Sequence, residues 1–237
     1  MASPFLTAEW TWLVMLNWEL DPALLRPIVP AGTELDLHAG RALASVVGFH
    51  FGKTRVLGLP IPFHCNFEEV NLRFYVRREA RGEVRRGVVF IRELVPRWAV
   101  AWVARTVYNE QYASVPMGHS IERGAPPAAS YRWTWRGKPF EARVRGMGEP
   151  SVPAEGSEAS FIAEHYWGYT RQRDGSTLEY QVEHPAWRVW AAGEAGLSGD
   201  AEACYPGFGK ALAGPPASAF LAEGSAVTVR KGVPLGT

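Results

Sequence analysis

Residues 66–78, NFEEVNLRFYVRR, constrain this fold more than any other stretch of the chain. Val70, Leu72, Phe74 and Val76 fall on one side, and Glu69, Asn71, Arg73 and Tyr75 on the other. Successive side chains of a strand point to opposite faces, so this alternation predicts a β-strand with one apolar and one polar face. Ala80-Arg81-Gly82-Glu83 reads as a hairpin turn, and residues 84–95 (VRRGVVFIRELV) return as the partner strand. The polar face has two explanations. Either it is solvated, as on a one-sided antiparallel sheet, or it lines a cavity enclosed by a closed sheet.

Similar patterns recur along the chain. Residues 10–20, 41–51 and 111–121 read as strands, as do the hairpins 131–136 with 139–146 and 166–173 with 177–184, the stretch WRVWAA, and 226–233. Predicted helices are short. One opens with Asp21 as cap and Pro22 in its first turn, one covers 97–107 after Pro96, one covers 157–164 with Ser157 as cap, and one covers 205–212. Residues 54–63 and 149–157 read as loops, and 193–218 is rich in Gly, Ala and Pro. No repeat or linker interrupts the 237 residues, and 47% of them are hydrophobic, enough for a substantial core. The expectation is a single domain over 1–237, of α+β class but mainly β, built as a barrel or sandwich.

The segment RELVPRW (92–98) puts charge into an apolar run. Strict alternation sets Glu93 in line with Val89 and Ile91, and Arg92 in line with Val88 and Phe90. Buried charges need partners. Either an Arg and a Glu pair here, or a guanidinium is presented to an anionic ligand. The run Glu164-His165-Tyr166-Trp167-Gly168-Tyr169 admits two readings as well, acid–base work or a core junction.

Other classes find no support. The net charge of +1 gives no bulk attraction to nucleic acid or membrane, and no apolar run approaches a membrane span. There is no G-x-S-x-G, no P-loop and no G-x-G-x-x-G. Cys65 and Cys204 lie far apart, and His64 and His119 have no metal-ligand spacing, so neither a disulfide, a metal nor a cofactor is expected. The opening residues lack the features of a signal peptide, and a cytoplasmic location is expected.

FLTAEWTWLVMLNWELDPALLRPIVPAGTELDLHAGRALASVVGF, NFEEVNLRFYVRR, GVVFIRELVPR, YNEQY and EHYWGYTRQRDG together resemble the YqjF-like family of unknown function, itself similar to a distant branch of the acetoacetate decarboxylase superfamily. The resemblance implies a cone-shaped antiparallel β-barrel with short helices and a central cavity. Acetoacetate decarboxylases carry Arg-Glu-Leu followed by Pro-Lys-Lys, whose first lysine forms a Schiff base. This chain has Arg92-Glu93-Leu94, then Pro96, with Arg97 and Trp98 at the lysine positions and a spacing one residue shorter. A guanidinium has no free amine to attack a ketone. The four lysines, Lys53, Lys138, Lys210 and Lys231, fall in turns, loops or near the C-terminus, against 21 arginines.

What the resemblance leaves is a cavity without imine chemistry. Its expected occupant is a small carboxylate or keto-acid held by Arg97. Asn71, Arg73, Asn109, Tyr112, Glu164 and His165 are further ligand-binding candidates. Glu69 and Glu93 are the catalytic candidates for a lyase, hydratase or isomerase step. The alternative is a structural Arg97–Glu93 ion pair with no ligand, in a chain acting through its surface as a homo-oligomer.

Overall fold

The computed structural model describes residues 4–61, 64–80, 82–98 and 109–235. In chain order its strands are β1 (Pro4–Leu20), β2 (Glu34–Leu35), β3 (Ala42–Val56), β4 (Leu59–Pro60), β5 (Phe67–Ala80), β6 (Glu83–Val95), β7 (Tyr112–Ser114), β8 (Met117–Glu122), β9 (Ala128–Trp135), β10 (Lys138–Ser151), β11 (Trp167–Arg171), β12 (Thr177–Glu183), β13 (Val189–Ser198), β14 (Ser218–Arg230) and β15 (Val233–Pro234). All belong to one sheet. Helices are few and short. Asp21 caps Pro22–Leu25 by accepting from the Ala23 N–H at 2.8 Å, and Ser157 caps Glu158–Ala163 by accepting from the Ser160 N–H at 3.2 Å.

Seven strands close a ring in the order β1-β3-β5-β6-β11-β12-β14 and back to β1. The closing seam is short: Val182 pairs with Val229 and Glu183 with Thr228. Beside it Arg230 grips the Glu183 carboxylate through Nε at 3.0 Å and Nη2 at 2.9 Å. From β14 the sheet continues through β13, β10, β9 and β8. This wing folds over the outside of the ring, where Tyr131, Trp133 and Phe140 pack with Val46, Leu72 and Phe74. The inner faces carry Leu13, Phe49, Phe51, Phe67 and Val88, joined by Phe161, Ile162 and Ala163 of the helix. The two-faced pattern of β5 is thus explained: its apolar side meets the wing, and its polar side faces into the ring.

The ring is mainly antiparallel, but not wholly so. One edge of β6 is shared by two parallel neighbours, β11 at Gly87 and Val88 and β7 at Glu93–Val95. These two parallel joints depart from the expected antiparallel barrel. Glycines permit the close crossing: a Cβ on Gly87 would lie 2.6 Å from the Trp167 carbonyl oxygen, and one on Gly168 would collide with the Tyr180 ring.

Strand lengths depart from expectation where Gly and Pro mislead. β3 runs on to Val56 and folds back as β4 inside the expected 54–63 loop, β10 reaches Ser151, and β13 reaches Ser198. Each extension is held by a ladder partner, as Ser198 is by Glu141, so tertiary pairing overrides local propensity. The expected helix at 205–212 shrinks to Gly209–Leu212, and a separate short helix covers Ala201–Cys204 before it. The helix expected at 97–107 lies almost wholly outside the described residues.

The main correction concerns β6. Leu72 pairs with Arg92 but Arg73 pairs with Phe90, leaving Ile91 as an extra residue. A bulge of one residue reverses the side-chain faces beyond it. Glu93 therefore shares the inner face with Val88 and Phe90, not with Val89 and Ile91 as strict alternation predicts. Arg92 points outward with Val89 and Ile91. There it donates from Nη1 to the Cys204 carbonyl and lies 4.5 Å from the Trp135 ring centroid.

Candidate active site

The ring encloses a cavity of about 300 Å³. β5 sets its floor, presenting Glu69, Asn71 and Arg73 in succession. Backbone pairing sets the neighbours. Asn71 lies opposite Glu93 on β6, and Glu93 lies opposite Tyr112 on β7. The Glu93 N–H donates to the Gln111 carbonyl at 3.1 Å, which brings residue 110 into the wall between β7 and β11.

The result is a hydrogen-bonded row of three buried carboxyl groups. Asn71 Nδ2 donates to Glu69 Oε1 at 2.9 Å, and the Tyr112 hydroxyl donates to Glu69 Oε2 at 3.0 Å. Tyr112 and Glu110 both lie within hydrogen-bonding reach of Glu93, whose Oε2 is buried without a partner. Glu110 Oε1 accepts from the Tyr180 hydroxyl at 3.0 Å and from Thr170 Oγ1. Glu69, Glu93 and Glu110 are 3%, 2% and 7% exposed, so desolvation governs their charge.

Burial pushes the Glu69 carboxyl up to about 7, against the opposing pull of its bonds to Asn71 and Tyr112 and of the Arg73 charge. Burial, resisted by bonds from Thr170, Tyr180 and Glu93, brings Glu110 to about 7 as well. Glu93 stands well above the usual carboxylate range, through burial first and then the charges of Glu110 and Glu69. Two carboxyl groups hydrogen-bond each other only when one holds a proton, and burial favours such a singly protonated state for Glu93 and Glu110. Burial also keeps Tyr112 and Tyr180 neutral as donors.

A basic end lies across the cavity. Arg73 donates from Nη2 to the Ile162 carbonyl at 3.4 Å, and its Nε is buried with no partner. His165 lines the same end, with Nε2 3.6 Å from Asp36 Oδ2. Burial holds the His165 imidazole down to about 4, so it is neutral near pH 7. Asp36 is kept below the ordinary aspartate value despite burial, because the His165 ring lies 3.6 Å away and Arg86 Nε donates to it at 2.6 Å.

Of the residues singled out from sequence, Glu69, Asn71, Arg73, Glu93, Tyr112 and His165 line the cavity. Three do not. β6 ends at Val95, and beyond Pro96 the Arg97 side chain stands exposed, outside the lining and without an ion pair to Glu93. Asn109 takes a positive φ of 55° and donates to the Arg171 carbonyl at 2.9 Å. Glu164 terminates the Glu158–Ala163 helix. Glu110, Thr170 and Tyr180 escaped the sequence reading. Glu110 carries no periodic signal, because residues 109–111 belong to no strand. Among the described residues, no group of three or more His, Cys, Asp or Glu side chains is arranged to hold a metal ion, and no helix is long and apolar enough to cross a membrane.

Residues 7–225 match the model of the DUF2071 family, described as an uncharacterized conserved protein. The uncharacterized protein YqjF of Bacillus subtilis (strain 168) is 28% identical over 177 residues, covering 74% of this chain and 72% of YqjF. Among solved structures, the fold is similar to acetoacetate decarboxylase from Legionella pneumophila, with a TM-score of 0.69 at 13% identity over 99% of this chain and 88% of that one. It is also similar to the enduracididine biosynthesis enzyme MppR complexed with pyruvate, with a TM-score of 0.68 at 14% identity over 100% of this chain and 91% of that one. None of this chain's four lysines lines the cavity.

Proposed function

We propose, for a chain that belongs to the DUF2071 family, that the cavity binds a small oxo-acid and moves a proton at the carbon beside its ketone. The observation that carries this reading is the Glu69–Glu93–Glu110 row in the cavity wall, with its raised carboxyls and two tyrosine donors. Of the Glu93–Glu110 pair, the ionised partner takes the proton from carbon. The neutral partner gives its proton to the ketone oxygen, producing the enol. Reprotonation reverses the step or completes a shift of the double bond, and the pair ends with the one proton it began with. Carboxyl groups raised above the usual range suit both halves of this transfer.

Arg73 takes the ligand's carboxylate, the role expected of Arg97. Its unpartnered Nε and its place two residues along β5 from Asn71 fit that task. Pyruvate bound to the structurally similar MppR supports the ligand class. The lysine-free wall supports a route without an imine.

The test is proton NMR of pyruvate and phenylpyruvate in deuterated buffer. Enzyme-dependent exchange of the hydrogens beside the ketone is expected, falling about 100-fold or more in Glu93→Gln. Borohydride added to the same mixture should leave the protein mass unchanged. Saturable binding with no exchange would reduce the protein to a binding module, and a borohydride-trapped adduct would overturn the imine-free route.

A further inference from the structure

The oxo-acid reading above uses one end of the cavity, and the rest of the wall is of another kind. Register orders it along the strands: Arg73 lies opposite Ser45, Asn71 opposite Val47, Glu69 opposite Phe49 and Phe67 opposite Phe51, with Thr54 three residues further along β3. Beyond the carboxyl row the lining thus becomes aromatic. Phe51 stacks on Phe67 with centroids 4.5 Å apart and planes at 16°, while Trp10 tilts against Phe49 at 5.2 Å and against Phe51 at 5.7 Å. These rings form a slot that lies along the strands from Arg73, beyond Asn71 and Glu69.

The aromatic end is not wholly apolar. The Thr54 hydroxyl lines it, and Thr54 is 4% exposed with no hydrogen-bond partner for Oγ1. The Trp10 Nε1 donor in the same wall is likewise buried and unpartnered. Buried polar atoms are almost always satisfied, and those left open in a cavity wall mark where a ligand supplies the partner.

We infer that the ligand is an aryl oxo-acid, or its aryl carboxylate equivalent, with a hydrogen-bonding group at the far end of the ring. This rests on the proposed seating of the acid at Arg73. The carboxylate lies on Arg73, the carbon beside the ketone at Asn71 and Glu93, the ring in the slot formed by Phe49, Phe51 and Phe67, and the ring substituent at Thr54 and Trp10. Aromatic slots of this kind favour edge and offset contacts with a planar ring.

Calorimetry on the full chain with pyruvate, phenylpyruvate, para-hydroxyphenylpyruvate and the ketone-free acid para-hydroxyphenylpropionate tests this. Phenylpyruvate should bind at least about tenfold more tightly than pyruvate, from burial of the ring. The ring hydroxyl should add about threefold to tenfold. Thr54→Val, close in shape and without the hydroxyl, should remove much of that increment while leaving phenylpyruvate binding unchanged, and Trp10→Phe should reduce it as well. The inference is overturned if no aryl acid binds, if pyruvate binds as tightly as phenylpyruvate, or if the increment survives both substitutions. Aryl acids that bind with the expected pattern but show no exchange would sink the catalytic reading alone. Exchange of pyruvate without aryl preference would sink the aryl inference alone.

Discussion

Glu69 shows how a single residue ties pattern, stability and chemistry together. Its place on a polar strand face was legible because β5 is regular, and so were those of Asn71 and Arg73. Its folded carboxyl titrates at about 7 against an ordinary value of 4.5. As pH rises between those values, the unfolded chain releases this proton and the folded chain keeps it, so stability is lost across the window. Glu110 acts in the same direction. His165 acts in the opposite one: its folded imidazole is held near 4 against 6.5, so its contribution is complete above 6.5 and is lost as pH falls toward 4. The wild-type profile mixes these slopes, but the difference between wild type and Glu69→Gln isolates one. Urea midpoints at about pH 5 and pH 8 should show the variant gaining on wild type as pH rises. A difference that stays constant with pH would mean Glu69 titrates as an ordinary surface carboxylate.

At the scale of the element, β6 is where sequence reading and structure part. Alternation is a local rule, and a bulge is decided by what the partner strand and the packing across it require. Nothing in FIREL marks Ile91 as the extra residue. Glu110 was illegible for a related reason: it sits in an irregular link, held by long-range contacts from Thr170 and Tyr180. Arg97 was assigned to the cavity because the resemblance sets it at the decarboxylases' lysine position with a spacing one residue shorter, and it lies beyond the end of β6 at Val95.

The bulge answers why Arg92 and Glu93 sit side by side in an apolar run: each reaches polar partners on its own face of the sheet. Exchanging them, as Arg92→Glu with Glu93→Arg, would put a carboxylate against Trp135 and the Cys204 carbonyl. The double variant should lose about 3–5 kcal/mol or more of folding stability. Arg92→Met, which only leaves the Cys204 carbonyl short of a donor, should lose about 1–3 kcal/mol. Equal stability of the exchanged protein and wild type in urea would rule out the bulged register.

For the whole molecule, the sequence conveyed a mainly β chain with few helices. It did not convey closure, because ring closure joins residues nearly fifty positions apart through two backbone pairs. That seam is as short as the β6–β11 joint and far shorter than the β1–β3 ladder, which runs from Leu6 with Val56 to Leu20 with Ala42. Val182 and Val229 of the seam also line the cavity, so this short joint of the ring is part of the site's wall. Short ladders open locally at lower free energy than long central ones. Amides of 178–183 should therefore exchange with deuterium faster than those of 43–51 in β3. Arg230→Ala, which removes the grip on Glu183, should speed exchange in 178–183 while leaving β3 unchanged. A ligand that fills the cavity should slow the same amides, because it binds only the closed ring. If the seam exchanges as slowly as β3 and does not respond to Arg230→Ala, the ring is held as firmly there as elsewhere, and ligand entry has to be sought at another joint.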